Sequence, residues 1–600
     1  MMKAVRINHE IDPLHSLRPS VVGLLEKTVE IGGVERRFLV YLPEDVRSST
    51  SGVYVLGDNG IAAGQLFEES NWSELAETDE YKEKFIVFYL EPVNGSWDID
   101  SPENDLAYMH AVWLMTHARD EFCLHEAKAY LAGYGAGGAM AQMMAMDEPA
   151  LYAGVASVGA PSVPEAYIAK KREEHCVLLN GYEDPDGKYG YQKKEFTVPA
   201  WIISDAPIEE TAETALAKHW RDCAKTADKP HQLRPDTVEY LREEPAPYGV
   251  NQEKEAFRVW ISQIENASAE HGKMINRRLY TEFFNRVRRW MSSPGGDLRM
   301  AFDPVRDLGM EYHYEEIDGW MREYYVYVPD AVKADPEKPV PLVFAMHGYT
   351  CSGEIYAGNS DWHKVADQNG FIVVYPTAAH GYLRLDNPDN PAVGANDTEL
   401  PAWNLLDFCP VAPDELTFFD EMIERVCAAH HIDRTRIYAT GHSLGSLMTQ
   451  YLGLARPDVF AAIAPCSGVL FSGSMQKFKN KPAVQTRADV RLPVWMFGGE
   501  NEAWLMPAVP QVGNATGDTI NYWRDLNHVS GGAVGDFEAY RTDRGRWKDY
   551  VFAVEDVPLV RYTWVEEMPH ATMTEMSFRI WEEFFCHVSK AERQEVLWEK

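Results

Sequence analysis

The chain is written twice, and this constrains its fold more than any other feature. Glu30–Val46, EIGGVERRFLVYLPEDV, aligns without gaps on Glu316–Val332, EIDGWMREYYVYVPDAV, with eight of seventeen positions identical. In both stretches a Gly-Gly or Asp-Gly pair joins apolar, aromatic-rich runs, which is how a β-hairpin is specified. Ser51–Gly60 (SGVYVLGDNG) then corresponds to Pro341–Thr350 (PLVFAMHGYT), each an apolar run entering a glycine-containing loop, and Trp97 falls opposite Trp403. Tyr130–Gln142, YLAGYGAGGAMAQ, matches Tyr438–Gln450, YATGHSLGSLMTQ, in its tyrosine, two glycines, methionine and glutamine. The blocks keep their order, as expected when each copy is one folding unit.

Six hundred residues also exceed a single core. The expected division is a first domain over 1–291, a Ser/Pro/Gly-interrupted linker over 292–300 and a second domain over 301–600. In the second copy, strands are expected at Leu342–Met346, Phe371–Tyr375, Ile437–Thr440, Val459–Ala464, Val494–Phe497 and Val560–Val565. Phe419, Met422, Ile423 and Val426 recur at helical spacing. Continuous apolar strands alternating with helices specify an α/β domain with a mostly parallel sheet.

Charge and composition exclude several function classes. Lys and Arg number 57 against 92 Asp and Glu, a net charge of −35. Such a field repels nucleic acid and anionic lipid, keeps a large protein soluble, and mildly favours neutral or cationic substrates. No run reaches the roughly 18 apolar residues of a membrane span. The start, MMKAVRINHEIDPLHSL, lacks a secretory pattern, and the eight cysteines are scattered, so reduced thiols and a cytoplasmic location are expected.

Gly441-His442-Ser443-Leu444-Gly445 is a G-x-S-x-G motif set between the strand RIYAT and the helix SLMTQYLGLA, the context a nucleophile elbow requires. A serine hydroxyl becomes nucleophilic when a histidine takes its proton and a carboxylate fixes that histidine's tautomer. Where serine is presented on this turn, acid and histidine follow it in the chain. His570, in EEMPHATM, lies between the strand VRYTWV and the helix TEMSFRIWEEFF. The acid should follow the strand LPVWMF, within GGENE: Glu502 is the first choice and Glu500 the alternative. An oxyanion hole needs two N–H donors, here expected from Leu444 and from Tyr349 in the loop after an early strand. His347, in the same loop, organises it. His347, Trp403 and His442 are candidate pocket residues, with Trp403 equally readable as a buried aromatic.

Pro413–Gly468, PDELTFFDEMIERVCAAHHIDRTRIYATGHSLGSLMTQYLGLARPDVFAAIAPCSG, together with Met346–Gly348 and Ala402–Asn404, resembles the polyhydroxybutyrate depolymerase and feruloyl esterase branch of the α/β-hydrolase superfamily. The resemblance covers most of 310–590. It implies ester hydrolysis through an acyl-serine, a triad of Ser443, His570 and an acid after LPVWMF, and no metal or organic cofactor. Taken with the internal repeat, the expected fold is two tandem α/β-hydrolase-like domains. The usual acid there is aspartate, and here the segment is GGENE. Many relatives are secreted, whereas no signal is visible in this chain.

The first copy departs from the pattern at the nucleophile. Aligning Tyr130 on Tyr438 puts Gly135 on Ser443, and Gly57-Asp58 stands where the second copy has His347-Gly348. Gly133, Gly135 and Gly138 also spell G-x-G-x-x-G, but VASVGAP offers no acidic residue to hold a ribose. The first copy is therefore read as a degenerate, non-catalytic hydrolase domain, with His271 as a surviving histidine. Covering the active domain, forming a homo-oligomer surface and binding a ligand are its open roles. For the whole chain the leading expectation is a serine esterase acting on a small hydroxycinnamoyl or hydroxyalkanoate ester. A peptidase of the prolyl-oligopeptidase type and a non-catalytic binding or scaffold protein are the alternatives.

Overall fold

The computed structural model describes residues 13–19, 21–78, 84–116, 122–175, 192–244, 253–290, 298–382, 399–405, 412–470, 477–486, 489–502, 506–529, 534–591 and 595–599. The chain forms two compact units: Arg18–Asp303 belongs to the first and Pro304–Lys600 to the second. The described stretch Pro13–Leu17 joins the second, where Tyr314 donates to the Ser16 carbonyl at 2.8 Å.

Each unit is built on one ten-stranded sheet. In the first, the strands are β1 (Gly23–Ile31), β2 (Val34–Leu42), β3 (Thr50–Leu56), β4 (Phe85–Leu90), β5 (Leu124–Tyr134), β6 (Gly154–Val158), β7 (Ala200–Ser204), β8 (His231–Arg234), β9 (Thr237–Leu241) and β10 (Arg258–Gln263). Their order across the sheet is 1-2-4-3-5-6-7-10-9-8. In the second they are β11 (Glu311–Ile317), β12 (Trp320–Tyr327), β13 (Val340–Met346), β14 (Ile372–Thr377), β15 (Ile432–His442), β16 (Ala462–Cys466), β17 (Val494–Gly499), β18 (Arg541–Arg544), β19 (Trp547–Val554) and β20 (Val557–Val565). These lie in the order 11-12-14-13-15-16-17-20-19-18, the same arrangement strand for strand. The six central strands of each sheet are parallel, and antiparallel strands close both edges. Helices cover the sheets, so central strands such as β3, β4 and β13 are buried along their whole length. The fold class expected from the sequence is the one observed.

Local chemistry explains where elements begin and end. The two edge hairpins turn on Gly32-Gly33 (φ 59° and 82°) and Asp318-Gly319 (φ 51° and 76°). Two successive positive φ values define the tight turn that matches strand twist, and Gly and Asp tolerate them. The strand expected to begin at Val459 begins at Ala462, because Val459 N–H closes a turn on the Arg456 carbonyl at 3.1 Å. Most of the expected linker lies outside the described residues. Its last three residues, Leu298–Met300, pair as a strand with Val287–Arg289.

The same buried polar contacts recur in both units. Tyr130 donates to Val287 O at 2.7 Å and Tyr438 to Val588 O at 2.6 Å. Trp220 Nε1 donates to Gln142 at 2.7 Å, and Trp523 Nε1 to Gln450 at 3.1 Å. Gln142 lies on α1 (Ala136–Asp147) and Gln450 on the corresponding helix of the second unit. Arg36 pairs with Asp105 at 2.9 Å and lies over Tyr108, while Arg322 pairs with Glu415 at 2.8 Å and lies over Phe418. Glu415 begins α2 (Glu415–Ala429), whose Leu416, Phe419, Met422, Ile423 and Val426 enter the core. Among the described residues no helix is long and apolar enough to cross a membrane.

Arg322 and Glu415 are both 1% exposed, so neither charge has water to fall back on. Glu415→Ala should destabilise the second unit by about 3–5 kcal/mol, and Arg322→Met/Glu415→Leu by clearly less. Equilibrium denaturation of the two variants checks the ranking.

Candidate active site

The serine turn is shaped by close backbone packing. Strand β15 ends at His442, Ser443 takes φ 57° and ψ −116°, and α3 (Leu444–Ala455) starts immediately after it. A Cβ on Gly441 would lie 2.5 Å from Gly445 O, and one on Gly445 would lie 2.4 Å from His347 O. Only glycine allows this approach, which drives the start of α3 against the loop leaving β13. Ser443 N–H donates to Cys466 O at 3.0 Å, tying the turn to β16. Over 437–455 every residue except Ser443 is buried, so the turn holds one polar side chain out of the core.

Glu502 and His570 form a buried pair. His570 Nδ1 lies 2.6 Å from Glu502 Oε2, with His570 6% exposed and Glu502 fully enclosed. The carboxylate accepts, so the ring proton sits on Nδ1 and Nε2 is left as an acceptor. Oε1 of Glu502 accepts from Gly499 N–H and from Ser467 Oγ. Glu500, two residues away, is exposed and instead accepts from Glu567 N–H at 2.9 Å. The structure thus brings Glu502 to the histidine and directs Glu500 to the backbone of the histidine loop. That loop leads into α4 (Thr574–Glu583).

His442 packs its ring on His570, with centroids 4.6 Å apart. Burial first, and then the neighbouring His570, hold the His442 imidazole well below its usual value. His442 therefore stays neutral and adds no second positive charge beside His570.

The loop after β13 runs directly against the serine. A Cβ on Gly348 would meet Ser443 Cβ at 3.1 Å. His347 and Trp403, considered as pocket residues, are engaged in supporting this loop. Ala378 N–H donates to His347 Nε2 at 2.9 Å, which places the ring proton on Nδ1, 2.6 Å from Gly348 O. Trp403 Nε1 donates to His347 O at 2.9 Å from within the main core. Tyr349 follows Gly348, and Leu444 opens α3, whose first N–H groups have no intrahelical acceptor.

The first unit preserves this scaffold with different contents. Gly135 has φ 53° and ψ −130°, close to Ser443, and its N–H donates to Val158 O at 3.0 Å. Trp97 Nε1 donates to Gly57 O at 2.9 Å, matching Trp403 and His347. Asp58, which takes the place of Gly348, turns its carboxylate onto the serine position. A Cβ on Gly135 would lie 2.1 Å from Asp58 Cγ. Asp58 Oδ1 accepts from Asn59 N–H and Ala136 N–H, both at 2.8 Å. Asn59 and Ala136 are the residues aligned with Tyr349 and Leu444. Two backbone donors thus converge on one oxygen, and that oxygen belongs to the protein itself. The helix N-terminus where a dinucleotide pyrophosphate would sit is filled by the same carboxylate. His271 Nε2 pairs with Glu69 at 2.9 Å.

Two side-chain placements beside these turns escaped the sequence reading. The Gly57-Asp58 replacement marked Asp58 without revealing where its side chain turns. Ser467 had a weaker signal, a glycine (Gly159) at the corresponding place in the first copy.

No protein-family model matches the chain. Feruloyl esterase B of Talaromyces funiculosus is 31% identical over 150 residues, covering 25% of this chain and 37% of that protein. Poly(3-hydroxyalkanoate) depolymerase C of Paucimonas lemoignei is 30% identical over 146 residues, covering 24% and 31% respectively. The chain therefore spans well under two thirds of either relative. Among solved structures, the acetyl xylan esterase from Aspergillus awamori aligns with 46% of this chain and 98% of that one, at 14% identity and a TM-score of 0.32.

The packing at Gly135 yields a prediction independent of any substrate. Gly135→Ala should lower the melting temperature by an amount equivalent to about 2 kcal/mol or more, through the left-handed backbone and the clash with Asp58. In an Asp58→Gly background the same substitution should cost distinctly less. A double-mutant cycle followed by thermal unfolding measures that coupling.

Proposed function

We propose that the second unit is a serine carboxylic-ester hydrolase working through an acyl-enzyme, and that the first unit is a copy of it that has lost catalysis. The observation that carries the reading is the buried Glu502–His570 pair on the loops that follow β17 and β20, in the same unit as a partly exposed serine on a glycine-flanked elbow. Similarity to proteins named feruloyl esterase and poly(3-hydroxyalkanoate) depolymerase supports the reaction class.

In this mechanism Glu502 holds the proton of His570 on Nδ1 and turns Nε2 toward Ser443. Nε2 takes the hydroxyl proton as Ser443 Oγ attacks the ester carbonyl carbon. The oxygen of the tetrahedral intermediate is stabilised by the N–H groups of Tyr349 and Leu444. Convergence of the Asn59 and Ala136 N–H groups on Asp58 Oδ1 supports this assignment, because a carboxylate oxygen in the first unit takes the place proposed for the oxyanion. The C–O bond to the alcohol then breaks and His570 protonates the leaving oxygen. Water, activated by the same nitrogen, attacks the acyl-serine and releases the acid. The neutral His442 keeps the imidazolium of His570 from facing a second cation.

The proposed substrate is a small ester with a hydroxycinnamoyl or hydroxyalkanoate acyl group. Asp58 across Gly135, with no serine at that turn, supports a non-catalytic first unit. The test is turnover of p-nitrophenyl acetate and butyrate, methyl ferulate, a hydroxybutyrate oligomer and a proline dipeptide amide by wild type and Ser443→Ala. Ester turnover should fall roughly 10⁴-fold or more in the variant, whereas turnover of the amide alone moves the reading to a peptidase. Among the carboxylates, Glu502→Gln should lower kcat by about 10²–10⁴ and Glu500→Gln by no more than a few-fold. Steady-state kinetics showing the reverse ranking would remove Glu502 from the mechanism.

A further inference from the structure

Ser467 directly follows β16 and is fully buried. Its backbone is left-handed, with φ 55°. A non-glycine residue is held there at a cost, and persists where the surroundings over-determine it. The backbone itself does not require serine. Ser467 N–H donates to Phe497 O at 2.8 Å, and in the first unit Gly159, with φ 59°, makes the same bond to Ile203 O at 2.9 Å.

What serine adds is its hydroxyl. Oγ lies 3.1 Å from Glu502 Oε1 and 3.1 Å from the carbonyl oxygen of Ala571, the residue after His570. One hydroxyl, its hydrogen shared between two acceptors, therefore spans the acid and the histidine loop. Glu502 is then gripped on both oxygens, by Gly499 N–H and Ser467 Oγ on one and His570 Nδ1–H on the other. Without the hydroxyl, Oε1 keeps only the backbone donor and the carboxylate gains freedom to turn away from His570.

We propose that Ser467 is a positioning residue, a strained serine kept because its hydroxyl locks Glu502 and the His570 loop into working register. The proposal rests on the serine-hydrolase reading of Ser443, Glu502 and His570. It also accounts for Gly159, since a copy with no nucleophile to activate has nothing to gain from the strain.

The test compares Ser467→Gly and Ser467→Ala in the full-length protein by the rate at which a fluorophosphonate labels Ser443, by ester kinetics and by thermal unfolding. Ser467→Gly should melt at or above the wild-type temperature, because the left-handed strain is relieved. It should nevertheless label Ser443 about tenfold more slowly, as loss of a group supporting the reacting residues predicts, with kcat lowered and KM unchanged. Ser467→Ala should show the same loss of reactivity together with a lower melting temperature, because it keeps the strain and loses the hydroxyl. A Ser467→Gly protein that labels at the wild-type rate overturns the proposal and leaves the hydrolase reading standing. Reactivity that falls only in step with melting temperature also overturns it, in favour of a purely structural role. A wild-type Ser443 inert to the probe overturns the hydrolase reading and this proposal together.

Discussion

In each unit the elbow helix approaches the loop beside it too closely for any side chain, and the site depends on that approach. Gly441 and Gly445 in the second unit, and Gly133 and Gly137 in the first, stand where any Cβ would come within about 2.5 Å of backbone. In the first unit that approach brings an N–H of the helix start beside one of the loop, both aimed at Asp58 Oδ1. It also forces the intervening residue into a conformation that pushes its side chain out of the core. The two units then differ at that turn: one has a serine with Gly348 beside it, and the other has Gly135 with the carboxylate of Asp58 across it.

Much of this was legible in the sequence because it is local. The Gly-Gly and Asp-Gly turns, the apolar strands, the period of α2 and the serine motif each declare themselves within about a dozen residues. The internal repeat extended that reach, since pairing Tyr130 with Tyr438 set Gly135 opposite Ser443 and exposed the altered loop. Contacts between distant segments were harder. Glu500 and Glu502 share one short turn, and their difference lies in which way each side chain leaves it. One meets Glu567 N–H and the other meets His570, both more than sixty residues away in the chain. The spacing after Gly499 ranks Glu502 first, but the contacts that separate the two carboxylates lie outside any local pattern. After the Pro-Gly-Gly run, Leu298–Met300 form a short strand whose partner a reading of turn residues does not reveal.

The first unit shows how much of this architecture is kept with glycine at the serine position. Its strand order, its tryptophan hydrogen bonds, its buried Arg36–Asp105 pair and its tyrosine contact to a distant carbonyl all have counterparts in the second unit. These interactions hold the sheet and its covering helices, and they do not involve the nucleophile. The changes that bear on the site lie in the loops at the strand ends, at Gly135 and Asp58. Asp205 accepts from Asn266 N–H at 3.0 Å, and the register that sets Ile203 opposite Phe497 puts Ile208 where the second unit has Glu502. A scaffold stabilised by its core tolerates the loss of residues at its rim.

The backbone carries the same message. Ser443 and Ser467 both occupy conformations natural to glycine, and at both places the first unit has glycine, Gly135 and Gly159. The same exchange occurs at Gly32 in the first unit and Asp318 in the second, but there it falls in an exposed hairpin turn that aspartate tolerates well. The two serines are different, since Ser467 is buried and Ser443 lies in a turn enclosed by backbone. Each gains only what its hydroxyl does, because the fold is equally well formed with glycine. Strain of this kind persists where a side chain is needed and relaxes where it is not. The pairing of two strained serines with an intact Glu502–His570 contact, and of two glycines with Asp58, makes backbone conformation and chemistry point to the same unit.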